Sequence, residues 1–145
     1  MNHLDSDQLV EQTEEKSISE IFRQDGESYF RELETEVLKT LQDYDNFVLS
    51  TGGGIVLREE NVLLLKTMGP LLLLWAAPEV IFERVRSEQH RPLLKVEDPL
   101  AEIKRILAER QPVYERSADL KVETEGKSVD QVTAEIIGWI NSRKT

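Results

Sequence analysis

A strand that breaks into three consecutive glycines constrains this chain more than any other feature. Phe47-Val48-Leu49 is an apolar run of β-forming type, and Ser50-Thr51-Gly52-Gly53-Gly54 follows at once. Without Cβ atoms the glycines let the main chain take positive φ and let a ligand approach the backbone closely. Ile55-Val56-Leu57 comes next, and a helical pattern starts at Arg58. Strand, glycine turn and helix form the unit whose amides cradle anions and polar small molecules in α/β proteins. The triplet alone fits a tight turn with no ligand equally well.

The flanking segments alternate between strand and helix patterns. Met1 to Leu4 leads into Asp5-Ser6-Asp7; if Leu4 ends a strand, the two carboxylates stand at its C-terminal mouth. The plainer alternative is that one Asp caps a helix starting at Gln8. Ser17 and Glu20 fit a capping box, Asp25-Gly26-Glu27 breaks the pattern, and a longer helix runs to about Leu41. Arg31 and Glu34 lie one turn apart on it. Such a pair is ordinarily a weak surface salt bridge; facing a pocket, Glu34 would hold the guanidinium for a carboxylate ligand. Glu59 to Thr67 reads as a helix with Val62, Leu63 and Leu65 inward. Leu71 to Trp75 has no polar alternation and is expected to be buried on both faces, as in a parallel sheet. A helix from Pro78 carries Val80, Ile81, Phe82 and Val85. The polar stretch from about 87 to 99, with two prolines, suits an active-site lid. A helix opens at Asp98-Pro99 and is expected to bend or end near Pro112. Leu120 to Thr124 alternates as a strand, and Ser128 with Gln131 caps a last helix carrying Val129, Val132, Ile136, Ile137 and Ile140. The pattern predicts one α/β domain over 1–145 with a mainly parallel sheet.

Composition narrows the chemistry. With 28 acidic against 18 basic residues the formal charge is -10, a poor balance for binding nucleic acid. There is no cysteine, which excludes thiol catalysis and Cys-ligated zinc, and the two histidines make a His-based metal site a poor fit. The apolar run from Leu71 to Ala77 is too short to span a bilayer, and no signal peptide is seen, so no membrane role and a cytoplasmic location are expected. Arg31, Arg84, Arg91 and Arg110 are each unremarkable alone. Together, at the edges of a glycine-lined cleft, such fixed planar donors suit carboxylate and phosphate ligands.

Read together, these motifs resemble the shikimate kinase family from about Leu4 to the last helix. The resemblance rests on Leu4-Asp5-Ser6-Asp7, Ser17-Ile18-Ser19-Glu20-Ile21-Phe22, Gly26-Glu27 with Phe30-Arg31 and Glu34, and Thr51-Gly52-Gly53-Gly54. It continues through Arg91-Pro92-Leu93-Leu94, Glu109-Arg110 with Pro112 and Tyr114, and Ala118-Asp119. It implies a P-loop-kinase-like three-layer α/β/α fold and transfer of the γ-phosphoryl of ATP, with Mg2+, to the 3-hydroxyl of shikimate in chorismate biosynthesis. By the same resemblance Asp7 binds the shikimate hydroxyls and helps deprotonate the attacking one. Arg31 and Arg110 hold the carboxylate, completed by the amides of Gly52, Gly53 and Gly54. Asp5 lies near magnesium through water, Arg91 swings over the phosphates, and Arg84 lies against the adenine. A complete member is expected to be a monomer, with a plastid location if the source is a plant.

One departure matters. The family opens with a strand, a Gly-x-x-x-x-Gly-Lys-Ser/Thr loop and a helix, and its first strand lies in the middle of the sheet. The only Gly-Lys-Ser here is Gly126-Lys127-Ser128, which lacks the earlier glycine and reads as a turn and cap. The chain taken alone is therefore expected to be truncated at its start, and incomplete, poorly stable or strongly rearranged, with doubtful activity and nucleotide binding. A second expectation is an inactive shikimate-binding or regulatory paralogue. A gluconate-kinase-like activity is a weaker third, because the Phe30-Arg31 and glycine context points to shikimate.

Overall fold

Two short β-forming runs separated by helical sequence can pair only across a long connection, and here they pair in parallel. In the computed structural model, which describes residues 1–85 and 97–143, β1 (Asn2–Asp5) lies beside β2 (Phe47–Ser50), with Asn2 opposite Phe47 and Asp5 opposite Ser50. A parallel pair needs a crossover rather than a hairpin. The helices α1 (Ser6–Glu14) and α2 (Ile18–Thr40) supply it. The chain divides into two compact units, Met1–Pro70 and Leu71–Thr145.

In the first unit, Val10, Ile21, Phe30, Val37 and Leu41 form the core. Asp5 is the N-cap of α1: its Oδ1 accepts from the amides of Asp7 at 2.9 Å and Gln8 at 3.2 Å. The helix therefore begins at Ser6, ahead of the expected Gln8. Asp5→Ala should lower the stability of the chain by about 1 kcal/mol in urea titration, the usual cost of losing such a cap. Ser17 caps α2, its Oγ accepting from the Glu20 amide at 3.2 Å. The expected break at Asp25-Gly26-Glu27 is a kink within α2, where Gly26 takes φ 88 and ψ 169. After β2, a short 3-10 turn (Ile55–Leu57) leads into α3 (Glu59–Met68). The inward face of α3 differs from the expectation: Leu63 is 62% exposed and Asn61 is fully buried. Asn61 and Leu65, one turn apart, define the buried face, and Leu63 sits about 200° around from Asn61.

In the second unit, β3 (Leu72–Trp75) and β4 (Leu120–Glu123) also pair in parallel, Leu72 opposite Leu120 and Trp75 opposite Glu123. The helices α4 (Pro78–Val85), α5 (Pro99–Ser117) and α6 (Val129–Ser142) accompany them. Asp119 clamps the start of the pair. Its amide donates to the Leu71 carbonyl and its Oδ2 accepts from the Leu71 amide, each at 2.7 Å.

Two expectations fail in this unit, and a third, that Pro112 bends or ends its helix, loses one of its alternatives. β3 is not buried on both faces, since Leu74 is 58% exposed. Each described sheet has two strands, so among the described residues every strand has one edge without a strand partner. Pro112 does not end its helix. It removes one N–H, and α5 continues to Ser117 around it, with Ala108, whose carbonyl loses that partner, exposed to water. On α6, Val129 and Ile137 are exposed rather than inward. The capping box of Ser128 and Gln131 is formed. Gly126 takes φ 73, consistent with Gly126-Lys127-Ser128 as a turn and cap. Most of the expected lid, including Arg91, lies outside the described residues. Among those described, no helix is long and apolar enough to cross a membrane.

Candidate functional site

Parallel pairing ends β1 and β2 side by side, with Asp5 beside Ser50. The Asp5–Asp7 corner and the Thr51–Gly54 loop thus leave the strands at the same edge. In α/β folds the C-terminal ends of parallel strands are where ligand-handling groups gather. What a side chain would meet at each glycine measures how close the loop comes to its neighbours. A Cβ on Gly52 would lie 3.3 Å and 3.5 Å from the two carboxylate oxygens of Asp7 and 3.7 Å from Oε2 of Glu34. On Gly54 it would lie 2.5 Å from both Nη atoms of Arg31 and 2.6 Å from Cζ. Only a glycine lets the main chain come this near a guanidinium.

Arg31 is held from several sides. Its Nη1 donates to Oε1 of Glu34 at 2.8 Å, and the Glu34 side chain is fully buried while that of Arg31 is 16% exposed. This is no weak surface pair: burial strengthens the attraction and makes either partner costly to leave alone. The longer contact from Nη2 to the exposed Glu27, at 3.5 Å, is of the kind that contributes little. The guanidinium carbon stands 5.2 Å from the Phe30 ring centroid, and Phe30 packs against Phe22 with centroids 5.0 Å apart. A guanidinium carries five N–H donors, so the Glu34 bond leaves others for a planar anion such as a carboxylate.

The structure therefore brings together Asp7, Arg31, Gly52 and Gly54, with Gly53 between the two glycines and Glu34 as the buried partner of Arg31. Asp5 adjoins them but commits Oδ1 to the α1 cap. The remaining candidates belong to the second unit. Arg84, exposed on α4, donates from Nη1 to Oγ1 of Thr124 at 3.0 Å, and Thr124 in turn donates through its amide (2.8 Å) and hydroxyl (3.0 Å) to the Trp75 carbonyl. Arg84 is thus tied to the C-terminal ends of β3 and β4. Arg110 is half-buried on α5.

Sequence reasoning missed a buried polar group behind the glycine loop. Asn61 donates from Nδ2 to the Ile55 carbonyl at 2.9 Å, and the Thr35 hydroxyl lies 2.7 Å from Asn61 Oδ1. The available signal was a polar Asn four residues before Leu65, on what is otherwise an apolar face.

The family model for shikimate kinase matches residues 1–141. This chain belongs to the shikimate kinase family. A shikimate kinase of Deinococcus radiodurans is 40% identical over 94% of this chain and 69% of its own length. One from Caldanaerobacter subterraneus subsp. tengcongensis is 41% identical over 94% of this chain and 79% of its own. Among solved structures, the shikimate kinase from Acinetobacter baumannii in complex with shikimate has a TM-score of 0.93 and 34% identity, covering 99% of this chain and 80% of that one. That of Aquifex aeolicus has a TM-score of 0.79 and 38% identity. This kinship removes one of the expected alternatives, strong rearrangement. A strongly rearranged chain would not superpose at 0.93 on a shikimate kinase; the α/β fold of that family is retained.

Proposed function

We propose that this chain acts as a shikimate kinase through an acceptor site in its first unit: it binds shikimate and presents its 3-hydroxyl to the γ-phosphoryl of ATP. The observation that carries the reading is the close packing of Gly54 on Arg31, with Asp7 beside Gly52 and Glu34 buried beneath. Arg31 and the glycine amides take the carboxylate, and Arg110, by the resemblance, makes a second contact with it. Asp7 accepts from the sugar-like hydroxyls and takes the proton of the attacking one. Phosphoryl transfer asks for placement and charge stabilisation more than for covalent chemistry, and these side chains supply placement.

Arg91 is assigned to the phosphates and Arg84 to the adenine, where its tether to Thr124 fixes it at the strand ends. Magnesium would offset the negative charge of the phosphates, with Asp5 as the residue near it. Among the described residues no cluster of three His, Cys, Asp or Glu could hold it directly. An Asp5 contact through water fits an ion that dehydrates reluctantly. The finer fold proposed is the three-layer α/β/α sandwich of P-loop kinases. A cytoplasmic monomer is the expected form.

A second reading, shikimate binding without catalysis, is favoured by a specific observation. Asp7, Arg31 and the glycine loop all lie within Met1–Pro70. The two readings part in one assay. The chain is given shikimate and Mg-ATP, with and without a fused amino-terminal strand, phosphate loop and helix, and shikimate 3-phosphate is followed by mass. Product from the fused protein supports the kinase. Shikimate binding by both proteins with no product from either supports the binding reading. In an active fused protein, Asp7→Asn should cut turnover by about two to four orders of magnitude while the shikimate KM moves much less. An equal loss in binding would assign Asp7 to affinity alone.

A further inference from the structure

We propose that Asn61 and Thr35 are positioning residues, a buried clasp that fixes the Ile55 carbonyl and with it the Gly52–Gly54 loop against Arg31. The proposal rests on reading that loop as the shikimate carboxylate site.

The direction of every hydrogen bond in the clasp follows from one fact. The Ile55 carbonyl, 2.9 Å from Asn61 Nδ2, can only accept, so the amide nitrogen must face it. Oδ1 then faces Thr35, and the hydroxyl at 2.7 Å must donate its single proton there. Its lone pairs remain for Arg58, whose Nη1 donates to it at 3.3 Å, while Arg58 Nη2 donates to Oε1 of Glu32 at 2.8 Å. Donors thus run one way, from Arg58 to Thr35 to Asn61 to the loop. Asn61 is 0% and Thr35 1% exposed. An apolar residue at 61 would continue the buried face of α3. A polar network in that place specifies one arrangement rather than adding apolar burial.

The clasp touches the loop where it matters. Ile55 follows Gly54 directly, and its own side chain is fully buried. The loop's internal ties include an Ile55 amide bond to the Gly52 carbonyl at 3.4 Å and a Leu57 amide bond to the Gly54 carbonyl at 3.1 Å. These shape the turn without holding it to α2. Thr35, on the helix that carries Arg31, holds it through Asn61, and its Oγ1 also lies 3.2 Å from the Arg31 carbonyl. With Gly54 packed on the guanidinium, a shift of a few tenths of an ångström would change how amides and guanidinium meet a shared carboxylate.

The test uses the full chain with Asn61→Leu, Thr35→Val and Thr35→Ser. Shikimate affinity is measured by calorimetry, and hydrogen exchange is followed in residues 50–57 and 30–38. Asn61→Leu and Thr35→Val should weaken shikimate about tenfold and speed exchange in 50–57 about tenfold, with 30–38 unchanged. Thr35→Ser, which keeps the hydroxyl, should match the parent. A fall in melting temperature with parental affinity and parental loop exchange would overturn the proposal, leaving the clasp a packing element only. If the parent itself does not bind shikimate, the shikimate reading fails, and loop exchange alone decides the clasp: faster exchange in 50–57 upholds it and unchanged exchange overturns it.

Discussion

Gly54→Ala should yield a folded chain that has lost most of its affinity for shikimate. The backbone at Gly54, φ -84 and ψ -5, is ordinary right-handed helical geometry that alanine adopts without strain. The new methyl, however, would stand 2.5 Å from the Arg31 nitrogens. A long side chain ordinarily swings away at little cost. This one is tied to buried Glu34 at 2.8 Å and rests on Phe30, so moving it breaks a buried ion pair or opens the loop. Either way the guanidinium and glycine amides no longer converge. Loss of one charge-assisted contact of about 2 kcal/mol corresponds to roughly thirtyfold in Kd. Calorimetric titration beside a thermal melt checks this. Unchanged affinity with an unchanged melt would mean that Arg31 and the loop do not act on one ligand.

Glu34→Ala should be the most destabilising of the substitutions considered. It removes a fully buried carboxylate and strands a guanidinium whose side chain is 16% exposed. Breaking such a pair from one side costs about 3 kcal/mol, at the lower end of the usual range because Arg31 keeps some access to water. Urea unfolding measures it. Replacing both partners, Arg31→Met with Glu34→Leu, should recover much of that stability while shikimate binding stays absent. Such an outcome separates what the pair does for folding from what it does for the ligand. If Glu34→Ala costs less than half a kcal/mol, the pair behaves as a surface one.

The Arg31 and Glu34 spacing was legible in the sequence, but not the burial of the pair. An i,i+3 pair looks the same on a solvated helix face, and what buries this one is the glycine loop, contributed from a distant stretch of chain. Asp5 and Asp7 were legible as a strand-end pair, and the structure divides their work: Asp5 caps α1 and Asp7 stands against Gly52. Leu71 to Trp75 read correctly as a strand, yet how much of it is covered depends on neighbouring strands and helices that its own residues do not specify. The helix through Pro112 shows a related limit. The residue type gives the loss of one N–H, and the surroundings decide whether that loss ends a helix. Asn61 escaped notice because its partners, the Ile55 carbonyl and the Thr35 hydroxyl, come together only when α2, α3 and the loop pack.

The most direct test of the central claim is a shikimate titration of the full chain by NMR, following the backbone amides of Gly52, Gly53 and Gly54 and the side-chain Nε–H of Arg31. The account predicts saturable shifts at all four, abolished by Arg31→Met. Saturable binding that leaves those signals in place would contradict it, and would put the ligand elsewhere on the chain.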